Sequence, residues 1–215
     1  TLHGTLGRTE LGELRVQGID YAYNLQGWIK AVNGSNLIMQ EDMGRDGDGN
    51  PIQLNSNLYP NPHHYVARDA FSYYLSYHEG DYQSVSNDAI EPMLGSASSD
   101  YRSLYNGNIA MIGTSLPKGM PYGTSRQVQG EMYGNVYHYD QLNRITQHKV
   151  MTNLTGNYWS SGGLSGNPFY EDFGYDANGN ILHLNRNGGS SVPGNIAMDN
   201  LDYRYDVRNF AISIN

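Results

Sequence analysis

Cysteine is absent from the 215-residue chain. That excludes disulfide staples, zinc-thiolate centres and a cysteine nucleophile, and it leaves the redox compartment unread. Positive charge is also scarce: 13 Lys and Arg stand against 21 Asp and Glu, a net charge of −8 at pH 7. Such a balance gives no electrostatic grip on phosphates, so nucleic acid is not expected as a partner. No apolar run approaches the roughly 18 residues of a membrane-crossing helix, and membrane insertion is not expected. The N-terminal TLHGTLGRTE is neither a basic-then-apolar leader nor a Met start, so the chain reads as a piece of something longer.

Gly and Tyr are abundant. There are 26 Gly, and 19 of the 25 aromatic residues are Tyr. A ring carrying a hydroxyl suits a half-wet surface better than a dry core, which favours β-structure.

The Tyr are also placed in register. Aligned on Tyr23, Tyr139, Tyr175 and Tyr205, four segments coincide: IDYAYNLQGWI, NVYHYDQLNRI, EDFGYDANGNI and LDYRYDVRNFA. Two residues before each origin stands an aromatic, Tyr21, Tyr137, Phe173 or Tyr203, a spacing of two that marks one face of a strand. One residue after it stands Asn24, Asp140, Asp176 or Asp206, whose short side chain accepts from its own backbone two residues on and starts a turn. Four residues after it stands Gly27, Asn143, Gly179 or Asn209, the residue types that best tolerate positive φ. Ile29, Ile145, Ile181 and the weaker Ala211 then resume the strand. Each copy reads as strand, tight turn, strand, and the last three origins lie 36 and 30 residues apart. YNGNI at 105–109 is a shortened relative. A lone hairpin is marginal in water, so such units need neighbours.

No domain boundary stands out, and residues 1–215 read as one all-β segment. The stretch 37–100 is expected to be an insertion or irregular excursion, broken by DGDGNP and YPNPHH, although FSYYLSY within it leans toward strand. SSGGLSGNP at 160–168 reads as a flexible loop.

Candidates for chemistry are thin. Asp46, Asp48 and Asn50 alternate in an acidic loop and would present oxygens to Ca²⁺, but Pro51 and Asn57 occupy the positions of the turn Gly and bidentate Glu. His63 and His64 are adjacent, with Asp69 nearby, but sequence neighbours point to opposite faces of a strand and do not easily share one metal. His138, between Tyr137 and Tyr139, is expected to face away from the aromatic surface. Ser165 in GGLSGN lacks the second Gly of a nucleophile elbow. The adjacent pairs Glu41-Asp42 and Glu171-Asp172 are not separated, convergent carboxylates. No set of nucleophile, base and orienting group assembles, so no catalytic residue and no cofactor is assigned and the segment is not expected to be an enzyme. The Tyr stripes serve either repeat stacking or the binding of sugars and partner surfaces; their recurrence at one place in every unit favours stacking.

The frames YDQLNRI and YDANGNIL, with YNGNI upstream and MDNLDYRYD downstream, resemble the YD-repeat or Rhs proteins, whose bacterial members include very large exported toxin carriers. The segments at 6–33 and 65–85 are similar to stretches common between repeats in long Rhs cores. The resemblance covers nearly the whole chain. It implies β-hairpins winding as a spiral sheet into a hollow shell, secreted or at the cell surface, that encapsulates or displays a C-terminal toxin or effector. The implied partners are the rest of the same chain, that effector, and secretion machinery or a surface partner. Related shells in animals serve adhesion, which makes a cell-surface or glycan-binding module the alternative. The family's Asp-Pro-containing self-cleavage motif is missing, since no Asp-Pro dipeptide occurs, so cleavage is not carried over.

Overall fold

The computed structural model describes residues 4–37, 42–47, 63, 65–84, 100–117, 132–151, 154–155, 158–159, 167–189, 197–205 and 211–214. Among them there is no helix; every regular element is a strand, and every strand pairing described is antiparallel. The chain divides into two compact units, Thr1–Met93 with Ser103–Tyr133, and Leu94–Arg102 with Gly134–Asn215.

The first unit is a sheet of five strands in chain order: β1 (Arg8–Leu11), β2 (Gln17–Tyr23), β3 (Ile29–Val32), β4 (Ser72–Ser76) and β5 (Met111–Ser115). Strand β4 lies inside the 37–100 stretch and pairs through Tyr74 with Ala31 and Gly113. The missing side chain at Gly113 leaves space for the Tyr74 ring, which a Cβ there would strike. Tyr74 is thereby buried with Ala31, Val32, Val66, Tyr77, Ala110 and Met111. Ser72 and Ser76 flank Tyr74 on the buried face of β4, while Tyr73 and Leu75 take the other face, as period two requires.

The second unit contains most of β6 (Met132–Tyr139), then β7 (Ile145–Met151), β10 (Glu171–Tyr175), β11 (Ile181–Asn187), β12 (Ala197–Tyr205) and β13 (Ala211–Ile214), again as sequential neighbours. A separate ribbon of β8 (Leu154–Thr155) and β9 (Tyr158–Trp159) buries Trp159.

One local device recurs in both units. In all four hairpins the register shifts immediately before the aligned tyrosine, which pairs with the residue six positions on: Tyr23 with Ile29, Tyr139 with Ile145, Tyr175 with Ile181, Tyr205 with Ala211. The extra residues are Lys30, Thr146, Leu182 and, by the same register, Ile212. Two residues thus oppose one, the definition of a β-bulge, which bends the strand and sharpens its twist at the same place in every copy.

Candidate functional site

Three copies of the repeated joint share one hydrogen-bond pattern. Asn24 Oδ1 accepts from Gln26 N and Trp28 N (3.1 and 2.9 Å), Asp140 Oδ1 from Leu142 N and Arg144 N (2.8 and 3.0 Å), and Asp176 Oδ1 from Asn178 N and Asn180 N (2.9 and 2.8 Å). The side chain therefore holds two amides that the hairpin would otherwise leave to water. The backbone closes the same turn each time, with Gly27 N, Asn143 N and Gly179 N donating to the carbonyls of Asn24, Asp140 and Asp176. Those three donors sit at φ of 81°, 62° and 89°, the left-handed region open to Gly and, at modest cost, to Asn. These donors also hold Asp140 and Asp176 below the usual carboxylate range, the bonds from Arg144 and from Asn180 being the leading causes.

A second contact links one joint to the next. The hydroxyl of Tyr175 donates to the carbonyl of Ile145, and that of Tyr205 to the carbonyl of Ile181, both at 2.8 Å. Tyr77 does the same to Ile29 at 2.9 Å. Each acceptor is the residue that resumes the strand after the preceding turn, so the tyrosine is a latch between copies. Tyr77 belongs to the set although no Asx follows it. Burial lifts the Tyr77 and Tyr175 hydroxyls above their usual range and keeps them as donors. Arg144 reinforces one latch: its guanidinium lies 4.6 Å from the Tyr175 ring centre, and it donates to Asp140 Oδ2 (2.6 Å) and to the carbonyl of Asp176 (2.9 Å).

The sheet of the second unit carries polar rows. One register row runs His138, Gln147, Asp172, Asn185, Asn200; the next runs Tyr137, His148, Glu171, Arg186, Asp199. Opposite residues in an antiparallel pair share a face, so the rows lie on opposite faces. Within the first, His138 Nδ1 meets Gln147 Oε1 at 3.0 Å while its Nε2 meets the carbonyl of Asp100 at 2.7 Å. Within the second, the Tyr137 and His148 rings stack at 5.1 Å, His148 Nδ1 lies 3.4 Å from Glu171, and Arg186 pairs with Asp199.

The first unit gathers its ionisable groups instead. Arg8 donates to Glu10, Asp20 and Asp46. The Asp46 side chain is 0% exposed, and its Oδ2 has no hydrogen-bond partner. Gly18 and Gly44 flank the group so closely that a Cβ at either would strike the guanidinium or a carboxylate. Asp42 caps its own loop, accepting from Gly44 N, Arg45 N and Asp46 N at 2.8 to 2.9 Å. Even so, burial pushes it up to about 6. Asp69 accepts from Gln17 Nε2 at 2.9 Å. Burial, then the charges of Asp42, Asp46 and Asp20, push it up to about 8. A second buried pair is Lys30 with Asp81, both side chains 0% exposed, where Asp81 Oδ2 also accepts from Tyr77 N at 2.8 Å. The bulge residue of the first hairpin is thus tied to the latch tyrosine.

Of the residues singled out in the sequence, Tyr21, Tyr137, Phe173 and Tyr203 lie in strands opposite Val32, His148, Leu184 and Ile214. His138 lies on the face opposite Tyr137. Asp206, Asn209, Asp48, Asn50, His64, Glu41 and Ser165 lie outside the described residues. Asp46 faces Arg8, and among the described residues no three His, Cys, Asp or Glu are placed to hold a metal ion. Sequence reading missed Tyr77, Arg8 and the Lys30–Asp81 pair, and it named Asp69 only as a neighbour of His63 and His64. Only Tyr77 carried a signal, the period-two aromatics of SYYLSY. No protein-family model matches the chain, and no curated protein matches it. No helix among the described residues is long and apolar enough to cross a membrane.

Proposed function

We propose that this chain is a wall segment of a large exported protein of the YD-repeat or Rhs type, in which hairpins joined edge to edge enclose or display a C-terminal effector, without catalysis in the segment. The observation that carries the reading is the identical joint: a bulge before every aligned tyrosine, an Asx-closed turn after it in three copies, and a tyrosine hydroxyl fastened to the preceding copy. A fixed unit fastened in a fixed way suits a wall that must extend over many copies. The deciding experiment probes cell and culture-medium fractions with an antibody raised to the segment. A very large exported band supports the wall reading. A free band near the chain's own 24.0 kDa overturns it.

A second reading, an adhesion or glycan-binding module, is favoured by the row of carboxylates and carboxamides at one height across β7, β10, β11 and β12, since such groups hydrogen-bond hydroxyl-rich ligands. Binding of the folded segment to a glycan array, lost in Asp172→Ala, would bring it forward.

A further inference from the structure

The knot around Arg8 holds more negative charge than its cations balance. Five carboxylates take part: Glu10 on β1, Asp20 on β2, Asp42 and Asp46 on the 42–47 loop, and Asp69 on the segment leading to β4. The guanidinium groups nearby among the described residues are four, and most are peripheral. Arg15 is 63% exposed and reaches only Glu10, His63 Nδ1 lies 3.2 Å from Glu10, Arg45 is exposed, and Arg68 lies beside Gly47. Arg8 is the group that joins carboxylates of separate elements, its donors going to Glu10, Asp20 and Asp46. Asp42 is compensated by three backbone amides. Asp69 is buried, and among the described residues it has no ion-pair partner, only the neutral amide of Gln17. Asp46 Oδ2 is buried without a donor, and Val66 and Arg68 pack against Gly47, so the segment that carries Asp69 lies on the 42–47 loop. Buried like charges in excess of the cations that touch them are costly unless one of them is neutralised.

We propose that Asp69 carries a proton that fastens the 42–47 loop and the 65–71 segment onto the β1–β2 hairpin, and that the fastening loosens when this proton leaves. The position of Asp69 near 8 fits this geometry. A carboxyl whose folded value is raised stabilises the fold fully below its unfolded value, and that contribution is lost as pH rises through the folded value. The first unit is therefore an acid-tightened clasp with its release in mildly alkaline solution.

The test is thermal unfolding of the full chain, followed by near-ultraviolet circular dichroism from about pH 6 to about pH 9, a window bracketing that value, at constant ionic strength. The midpoint falls by several degrees as pH rises. Asp69→Asn keeps the oxygen that accepts from Gln17 and carries no charge, so its midpoint matches or exceeds the parent's at the alkaline end and its slope flattens. A parent midpoint that is flat or rises with pH overturns the proposal, as does a variant with the parent's slope. Should Asp69→Asn fail to fold, carboxyl ¹³C shifts of the parent decide: titration of Asp69 in the ordinary carboxylate range refutes the held proton. Restoration of the alkaline midpoint by Ca²⁺ alone would also refute it, because a metal ion would then supply the missing charge.

Discussion

The two units use the same bulged hairpin but distribute charge in opposite ways. The second unit lays polar and charged side chains in rows across neighbouring strands, with His148–Glu171, His183–Asp202 and Arg186–Asp199 pairing from one strand to the next. The first unit packs carboxylates around one guanidinium and buries a Lys–Asp pair completely. Exposed pairs gain little and cost little; buried ones carry large opposing terms that leave them sensitive to any loss. The difference teaches that one repeat geometry can support either a tolerant surface or a switch, depending on what is placed beside the first strand.

The comparison breaks most completely when the shared device is removed. Tyr139→Ala with Tyr175→Ala takes two rings from consecutive joints, each worth about 3 kcal/mol by analogy with aromatic truncation. The second unit should lose its cooperative unfolding transition, and unchanged melting would refute the aligned tyrosines as the residues that hold the copies together. In the first unit, Lys30→Met leaves Asp81 buried without its cation, at a cost of about 3–5 kcal/mol. Denaturant unfolding reads it directly, and a loss below about 1 kcal/mol, the scale of an exposed pair, would mean the pair is wetter than its burial says.

Charge sharpens the contrast next. Asp140 and Asp176 have folded values lowered by the bonds they accept, so their contribution is present above the unfolded carboxylate range and is lost as pH falls through the folded value. Asp69 has the opposite sign, its contribution growing as pH falls through about 8. Acidification should therefore tighten the first unit before it weakens the second. Limited proteolysis at stepped pH, with cleavage sites mapped to each unit, checks this, and loss of both units in one step would refute it. The smallest effect is Tyr175→Phe, which keeps the ring under Arg144 and removes one hydroxyl bond worth about 1 kcal/mol. A drop of that size, with an unchanged circular dichroism spectrum, separates latch from packing.

The hairpins were readable from sequence because their causes are local. An aromatic at minus two, an Asx at plus one and a Gly or Asn at plus four each act within a few residues of the turn they make, so the all-β character follows from a short window. The bulge was not readable, since Lys30, Thr146 and Leu182 look like ordinary strand residues and only pairing with the opposite strand makes them extra. The Arg8 knot was hidden for a stronger reason. Its members at 8, 20, 46 and 69 come from separate elements, so no spacing along the chain announces that they meet. Asp46 drew notice as one of three alternating oxygen donors, whereas the structure turns its carboxylate toward Arg8.

The latch has a direction. In each observed case the tyrosine that donates comes later in the chain than the carbonyl that accepts: Tyr77 after Ile29, Tyr175 after Ile145, Tyr205 after Ile181. A copy therefore brings its own fastener and needs only what was synthesised before it. Assembly can keep pace with a chain emerging from a ribosome, each hairpin docking on a finished predecessor without waiting for residues still to come.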